Sequence, residues 1–534
     1  MAASSKTSTD SGHDEGLKAF APIIASIHLD RLPLFATSVR ELAKKPVKLE
    51  RESDDSMDCV ILSPPLVGSY HILFQIKFGD GARWVLKVPA RGHRDQFDEF
   101  DAEALTSEAL TMRLIKRETT LPIPEVYSFD ASTHNDLGCP FILMEYIEAV
   151  PLYEFWFEET SSKAVMEQRR ARILQDLAAA VVQLNQFAYR QGGRLLFDDE
   201  GSPTSVGPMR KLDVSSMLDR QRIGDLGASF IFCELGPFMD SKAFLLCMLN
   251  RRLPPPDQFG LGIYKLLRLF IDWFPYADYA LEPEFVLSHP DLDIQNILVS
   301  PEGGLRGIID WDGVGTVPRC VGNERYPSWL TRDWDPANYG YGHGRAGADA
   351  GCLENSPEEL ARYRAMYLQI MEQCLTMDDG RKGYFAESTP NSILSYGAVQ
   401  ITGRSIVIEN LQIAADDSFC TVEIVNKIFD EVAGLVHELH PTPSQGDPQV
   451  DNGDEMSINK DSSSGEFKDD FHLYEVACAV ANGELDQRRM RWLENGFKAL
   501  FLGTWLQIPS REFNQGCERT AAGRNHSRAD PLIR

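Results

Sequence analysis

The stretch HPDLDIQNIL, His289 to Leu298, sets an imidazole, two carboxylates and the Asn296 carboxamide directly before an apolar run, and IIDWDG, Ile308 to Gly313, closes another apolar run on Asp310. Asp291 and Asn296 stand five positions apart, and Asp310 follows Asn296 by fourteen. A tight loop can turn Asp291 and Asn296 into one cleft, and a following strand can deliver Asp310 to it. Two carboxylates and an amide oxygen suit a hard cation such as Mg2+, which prefers oxygen ligands and keeps waters and substrate phosphates in its shell. The spacing is that of a phosphoryl-transfer site, where one Asp takes a hydroxyl proton and an Asn and a later Asp hold metal. Asp291 is therefore the candidate base, and Asn296 and Asp310 are the candidate magnesium ligands. Any one of them alone reads as a turn cap; three at these spacings between strands do not. His289 reads as a brace for the loop.

Upstream residues fall in the order a kinase needs. SPPLVGSYHILF places Gly68 and Ser69 between two strands, where backbone amides can approach phosphates. Lys87, flanked by apolar residues in WVLKVP, suits α- and β-phosphate binding; Lys77 on the preceding strand is its rival. Glu108, in TSEALTMRL, can pair with Lys87, with Glu103 as the alternative. FILMEYI ends a strand, and backbone groups of Glu145, Tyr146 and Ile147 are candidates for holding adenine.

These side chains need elements to position them. Residues 57–63 read as a strand that SPPLVGSY breaks, and HILFQIKF and RWVLKVP read as a hairpin around GDGA. Residues 99–118 carry a helical apolar face, and EVYSFD and CPFILMEYI read as two more strands. Helices dominate afterwards, over 163–190, 258–274, 357–376 and about 470–502, interrupted by short strands near Val299 and Ile308. The boundaries expected are a disordered tail (1–16), a nucleotide-binding lobe (17–147) and a second lobe with the catalytic loop (148–440). A flexible acidic insertion (441–469), further helices of the second lobe (470–508) and a polar tail (509–534) follow.

The chain has 534 residues and a formal net charge of −26, which disfavours nucleic acid and anionic membranes as partners. An acidic cleft would suit a cationic substrate. The ten cysteines form no CxxC pair, so a zinc site is not expected and a reduced setting is. The polar N-terminus lacks the apolar core of a secretory signal, and the expected location is cytoplasmic.

The segments HPDLDIQNILV, IIDWDG, WVLKVP and PFILMEYIEAVPL together resemble the aminoglycoside phosphotransferase (choline kinase-like) superfamily. The run from Ile308 to Pro336 is similar to fungal phosphotransferase-family proteins. The resemblance covers roughly residues 57–440 and the last helices. It implies an α+β, protein-kinase-like two-lobed fold, with a small antiparallel sheet and one main helix ahead of a larger helical lobe. It implies ATP or GTP with Mg2+, and phosphorylation of a small-molecule hydroxyl. Pro290 stands where members often have Gly, and Asp293 where they often have His; the upstream turn holds one glycine, Gly68. That weak turn motivates the alternative of a catalytically silent nucleotide- or partner-binding protein. A protein kinase is disfavoured because no A-P-E element follows IDWDG. The aromatic stretch Trp311, Tyr326, Trp329, Trp334, Tyr339 and Tyr341, with Asp333 and Asp335, either lines a pocket for a cationic substrate or anchors the chain to the helical lobe.

Overall fold

In the computed structural model, the structure describes residues 20–43, 59–214, 216–217, 220, 231–276, 283–335, 339–341, 353–377, 405–439 and 472–502. The expected tails (1–16, 509–534) and the acidic insertion (441–469) lie outside the described residues.

Strict alternation makes HILFQIKF a strand with one oily face. Ile72, Phe74, Ile76 and Phe78 are buried, while Lys77 between them is exposed. This strand, β2 (His71–Phe78), lies in a five-stranded antiparallel sheet with β1 (Cys59–Val67), β3 (Arg83–Pro89), β4 (Val126–Asp130) and β5 (Phe141–Glu145), in the order β1-β2-β3-β5-β4. The expected break after residue 63 does not occur. β1 runs through Pro64 and Pro65 because it is the edge strand, and a register shift between Leu62 and Leu66 absorbs them. The outer face of the sheet is covered by α1 (Ala21–Ser26) and α2 (Leu32–Ala43), whose Ile23, Leu32 and Ala36 meet Ile72, Phe74 and Leu86. Sequence reading did not single out these helices.

The inner face meets α3 (Glu99–Glu118). Asp98 caps this helix by accepting the Asp101 N–H at 2.8 Å, within a capping box. Its Leu105, Ala109, Met112 and Ile115 join Leu174 and Leu177 of α4 (Lys163–Val181) in one core cluster that spans both lobes.

α4 stops at Val181 rather than continuing to 190. Ala188–Tyr189 pairs instead as a strand with Phe285 and Val286, so sheet pairing overrides the helical pattern there. Two hairpins follow that were not anticipated: Arg194–Phe197 with Pro203–Gly207, and Met209–Leu212 with Phe232–Leu235. A second core cluster gathers α5 (Gln258–Trp273), α7 (Thr421–Leu439), α8 (Leu473–Asn482) and α9 (Gln487–Leu502), while α6 (Pro357–Met377) packs on α4. The last helical region is split at Gly483, whose φ of 73° ends α8. Gly262 lets α5 touch α8; a Cβ there would lie 2.0 Å from the Ala477 carbonyl oxygen. Short strands complete the lobe: β6 (Val150–Pro151), β7 (Phe285–Ser288), β8 (Ile297–Val299), β9 (Leu305–Ile308) and β10 (Gly315–Pro318). The expected two-lobed α+β architecture is present. Among the described residues no helix is long and apolar enough to cross a membrane.

Candidate active site

The loop from His289 to Asn296 is held by its own polar groups. Buried β7 delivers His289, whose Nε2 lies 3.0 Å from the Ile309 carbonyl oxygen. Its Nδ1 accepts the Asp291 N–H at 3.1 Å. These bonds require a neutral ring with the proton on Nε2, and burial pushes His289 down to about 4. The ring meets Trp311 edge-on at 4.6 Å. His289 is thus the brace that was expected.

Asp291 is exposed, and its carboxylate accepts Asn296 Nδ2 at 3.0 Å. The same nitrogen reaches the Asp291 carbonyl at 3.0 Å. Asn296 is fully buried, and its carbonyl accepts the Ile309 N–H at 2.9 Å, which ties the loop to the end of β9. Asp293, buried beside them, accepts the Ile294 N–H at 2.8 Å and pairs with Arg332. It is a structural anchor for the loop.

Asp310 follows β9 with φ +66°, the one non-glycine at positive φ among the described residues. An Asp tolerates this left-handed conformation better than most residues, but it is held there by its surroundings. The turn aims its carboxylate across the lobes, where Oδ1 lies 3.5 Å from Lys87 Nζ.

Lys87 and Glu108 are joined at 2.7 Å, with the two residues 4% and 5% exposed. Burial alone would lower the lysine; Glu108 first, then Asp310 and Asp312, outweigh it and hold the ammonium charged. Burial pushes the Glu108 carboxyl up, and the pull of Lys87 opposes it. The rivals are disposed of by geometry. Lys77 faces solvent, and Glu103 pairs with Arg194.

These groups line one interlobe cleft of about 460 Å³. Gly68, Ser69, Lys87, Glu108, Glu145, Tyr146, Ile147, Asp291 and Asp310 all border it. Asn296 sits behind Asp291 in the second layer. The Gly68–Tyr70 tip joins β1 to β2, and the Gly68 N–H bonds the His71 carbonyl at 2.9 Å. Val85, Met144, Leu298 and Ile309 give the cleft apolar walls suited to a flat base. At the hinge, the Glu145 N–H donates to Glu125 O at 2.8 Å and the Tyr146 N–H to Arg83 O at 3.1 Å. Those two amides are therefore engaged within the protein.

One cleft group, His71, and its neighbour Asp312 escaped sequence reading. His71 Nε2 lies 3.9 Å from Asp312 Oδ2, and burial, with Lys87, pushes His71 down to about 4. The strand alternation carried the signal: His71 shares a face with Leu73, which pairs with Lys87. The aromatic stretch divides. Trp311 borders the cleft, while Tyr326 and Trp329 lie in the core, where Trp156 meets Trp329 at 5.8 Å. Asp333 pairs with Arg364 at 2.6 Å, and Lys427 lies 4.8 Å over Trp334. Anchoring describes Tyr326, Trp329, Asp333 and Trp334.

Residues 73–321 match the family described as "Phosphotransferase enzyme family". A subtelomeric hrmA-associated cluster protein of Aspergillus fumigatus is 22% identical over 276 residues, which are 42% of this chain and 53% of that protein. The chain thus spans about half the length of that relative. The altered inheritance of mitochondria protein 9, mitochondrial, of Candida glabrata is 23% identical over 66% of this chain and 63% of its own length. Among solved structures, aminoglycoside phosphotransferase APH(4)-Ia in ternary complex with ADP and hygromycin B aligns at 14% identity and TM-score 0.33, covering 69% of this chain and 93% of that one. Plasmodium vivax ethanolamine kinase aligns at 13% identity and TM-score 0.33, covering 77% and 91%. The matched stretch, residues 73–321, carries Lys87, Glu108, Asp291, Asn296 and Asp310 and is thus similar to the phosphotransferase enzyme family.

Proposed function

We propose that this chain is a small-molecule kinase that transfers the γ-phosphoryl group of ATP to a hydroxyl. The observation that carries this reading is the buried Lys87–Glu108 pair with Asp310 at 3.5 Å, facing Asp291 across one cleft. Lys87, fixed by Glu108, grips the phosphates. Asp291 orients the acceptor hydroxyl and takes its proton as the oxygen–phosphorus bond forms and the bond to the ADP oxygen breaks. His289 and Asn296 hold Asp291 in place through the bonds described above.

The Asp310 carboxylate borders the cleft and suits a magnesium ion, whereas Asn296 is fully buried behind Asp291 and would reach the ion from there. Asp310 supplies a carboxylate, and with Asn296 Nδ2 turned to Asp291, the amide oxygen is the end a cation would take. Bound there, Mg2+ would neutralise charge on the phosphates. GTP is the alternative donor. A cytoplasmic setting and a hydroxylated acceptor, which an acidic chain permits to be cationic, belong to the same proposal.

The experiment is ATP consumption by purified protein with Mg2+ across aminoglycosides, choline, ethanolamine, sugars and homoserine. Turnover with one class supports the reading and names the acceptor. Mg·ATP binding without turnover favours the second reading, a silent nucleotide-binding protein, to which the single glycine of the β1–β2 tip lends support. A protein that binds no nucleotide contradicts both.

A further inference from the structure

Helix α3 carries Glu108, yet much of what fixes α3 comes from the second lobe. Leu195 and Val206, from the first unanticipated hairpin, share a core with Leu105 and Ala109. Ser107 Oγ donates to the Leu195 carbonyl at 2.8 Å, in a buried bond. Arg194 pairs with Glu103, and its guanidinium lies 5.0 Å over the Phe100 ring. From the second hairpin, Arg210 reaches Asp101 at 3.1 Å and lies 3.6 Å over Phe232. Asp101 is 4% exposed and also meets Arg91 at 3.3 Å, two residues past the strand that carries Lys87. One buried carboxylate at the start of α3 thus ties the helix to the Lys87 strand and to the second lobe together.

We propose that the two hairpins clamp α3 so that Glu108 stays on Lys87 before any nucleotide arrives, with Arg210 as the positioning residue of the clamp. Lys87 and Glu108 are both buried, so a helix free to shift would take Glu108 from its partner and leave Lys87 to Asp310 alone. The clamp removes that freedom, and the phosphate grip is assembled in the empty protein. The kinetic half of this proposal rests on the phosphotransferase reading; the structural half does not.

The test compares wild type, Arg210→Ala and Arg210→Lys. Hydrogen exchange of the 99–118 amides is followed without nucleotide, and the KM for Mg·ATP is compared with that for the acceptor. Arg210→Ala is expected to speed exchange in the first turns of α3 about tenfold while α5 keeps its protection. It should raise the KM for Mg·ATP by about tenfold, the scale of one charge-assisted hydrogen bond, and leave the acceptor KM unchanged. Arg210→Lys should recover part of both effects, because it keeps the charge but not the planar fork. Wild-type exchange in α3, or faster exchange across both lobes alike, would overturn the clamp. Should the wild type turn over no ATP, the phosphotransferase reading falls, and the exchange data still decide the clamp.

Discussion

Asp310 and His289 show how single residues are committed to the cleft. Asp310 sits at φ +66°, where a β-carbon is strained but Asn is tolerated nearly as well as Asp. Asp310→Asn should therefore unfold at a higher denaturant concentration than Asp310→Ala, by roughly 0.5–1 kcal/mol, although both lose Mg-dependent nucleotide affinity. Equal stability of the two variants would remove the strain argument. His289 is neutral, with its pKa lowered to about 4. A lowered folded-state pKa contributes stability that is fully present above the unfolded value of about 6.5 and is lost as pH falls through about 4. The difference corresponds to roughly 3 kcal/mol. Thermal unfolding of His289→Gln should consequently lose less stability than wild type between about pH 6.5 and 4. Parallel profiles would mean that His289 titrates normally.

At the scale of elements, two contacts have sharp consequences. Asp98→Ala removes the cap of α3 and should cost about 1 kcal/mol in urea unfolding, with Asp98→Ser recovering most of it. Gly262→Ala puts a Cβ 2.0 Å from the Ala477 carbonyl, so α5 and α8 must separate, at a cost of about 1–3 kcal/mol. A Gly262→Ala protein as stable as wild type would show that the helices have room to slide. The elements around the cleft were legible because their signals are local. HILFQIKF alternates, GDGA turns, and residues 99–118 keep a helical apolar face with an acidic start. The grouping of the His289–Asn296 loop with Asp310 was legible for the same reason, since Asp291, Asn296 and Asp310 lie close along the chain. Legibility failed where tertiary pairing decided. Ala188–Tyr189 is a strand because Phe285 and Val286 wait beside it, and Pro64 fits in β1 because that strand is an edge. The segment FDDEGSPTSV carried a turn signal for the first hairpin that was passed over. His71 and Asp312 escaped because neither belongs to the motif spacing; strand pairing and a turn bring them within 3.9 Å.

Across the whole molecule, one core cluster runs from α3 into the helical lobe and another covers the far side of the sheet, and the cleft lies between the two lobes that the first cluster joins. A ligand that bridges them should stabilise the fold by mass action, by about 2.7 kcal/mol when Mg·ATP is present at a hundred times its Kd. That shift should vanish in Lys87→Met if the buried lysine grips the phosphates, and should persist in Asp291→Ala, which leaves the nucleotide side intact. The most direct test of the account is then phosphoryl transfer by Asp291→Ala at saturating Mg·ATP, measured beside its nucleotide binding. The account predicts binding close to wild type, with turnover reduced by at least about a hundredfold, the scale of a lost general base. Wild-type turnover in Asp291→Ala would contradict it.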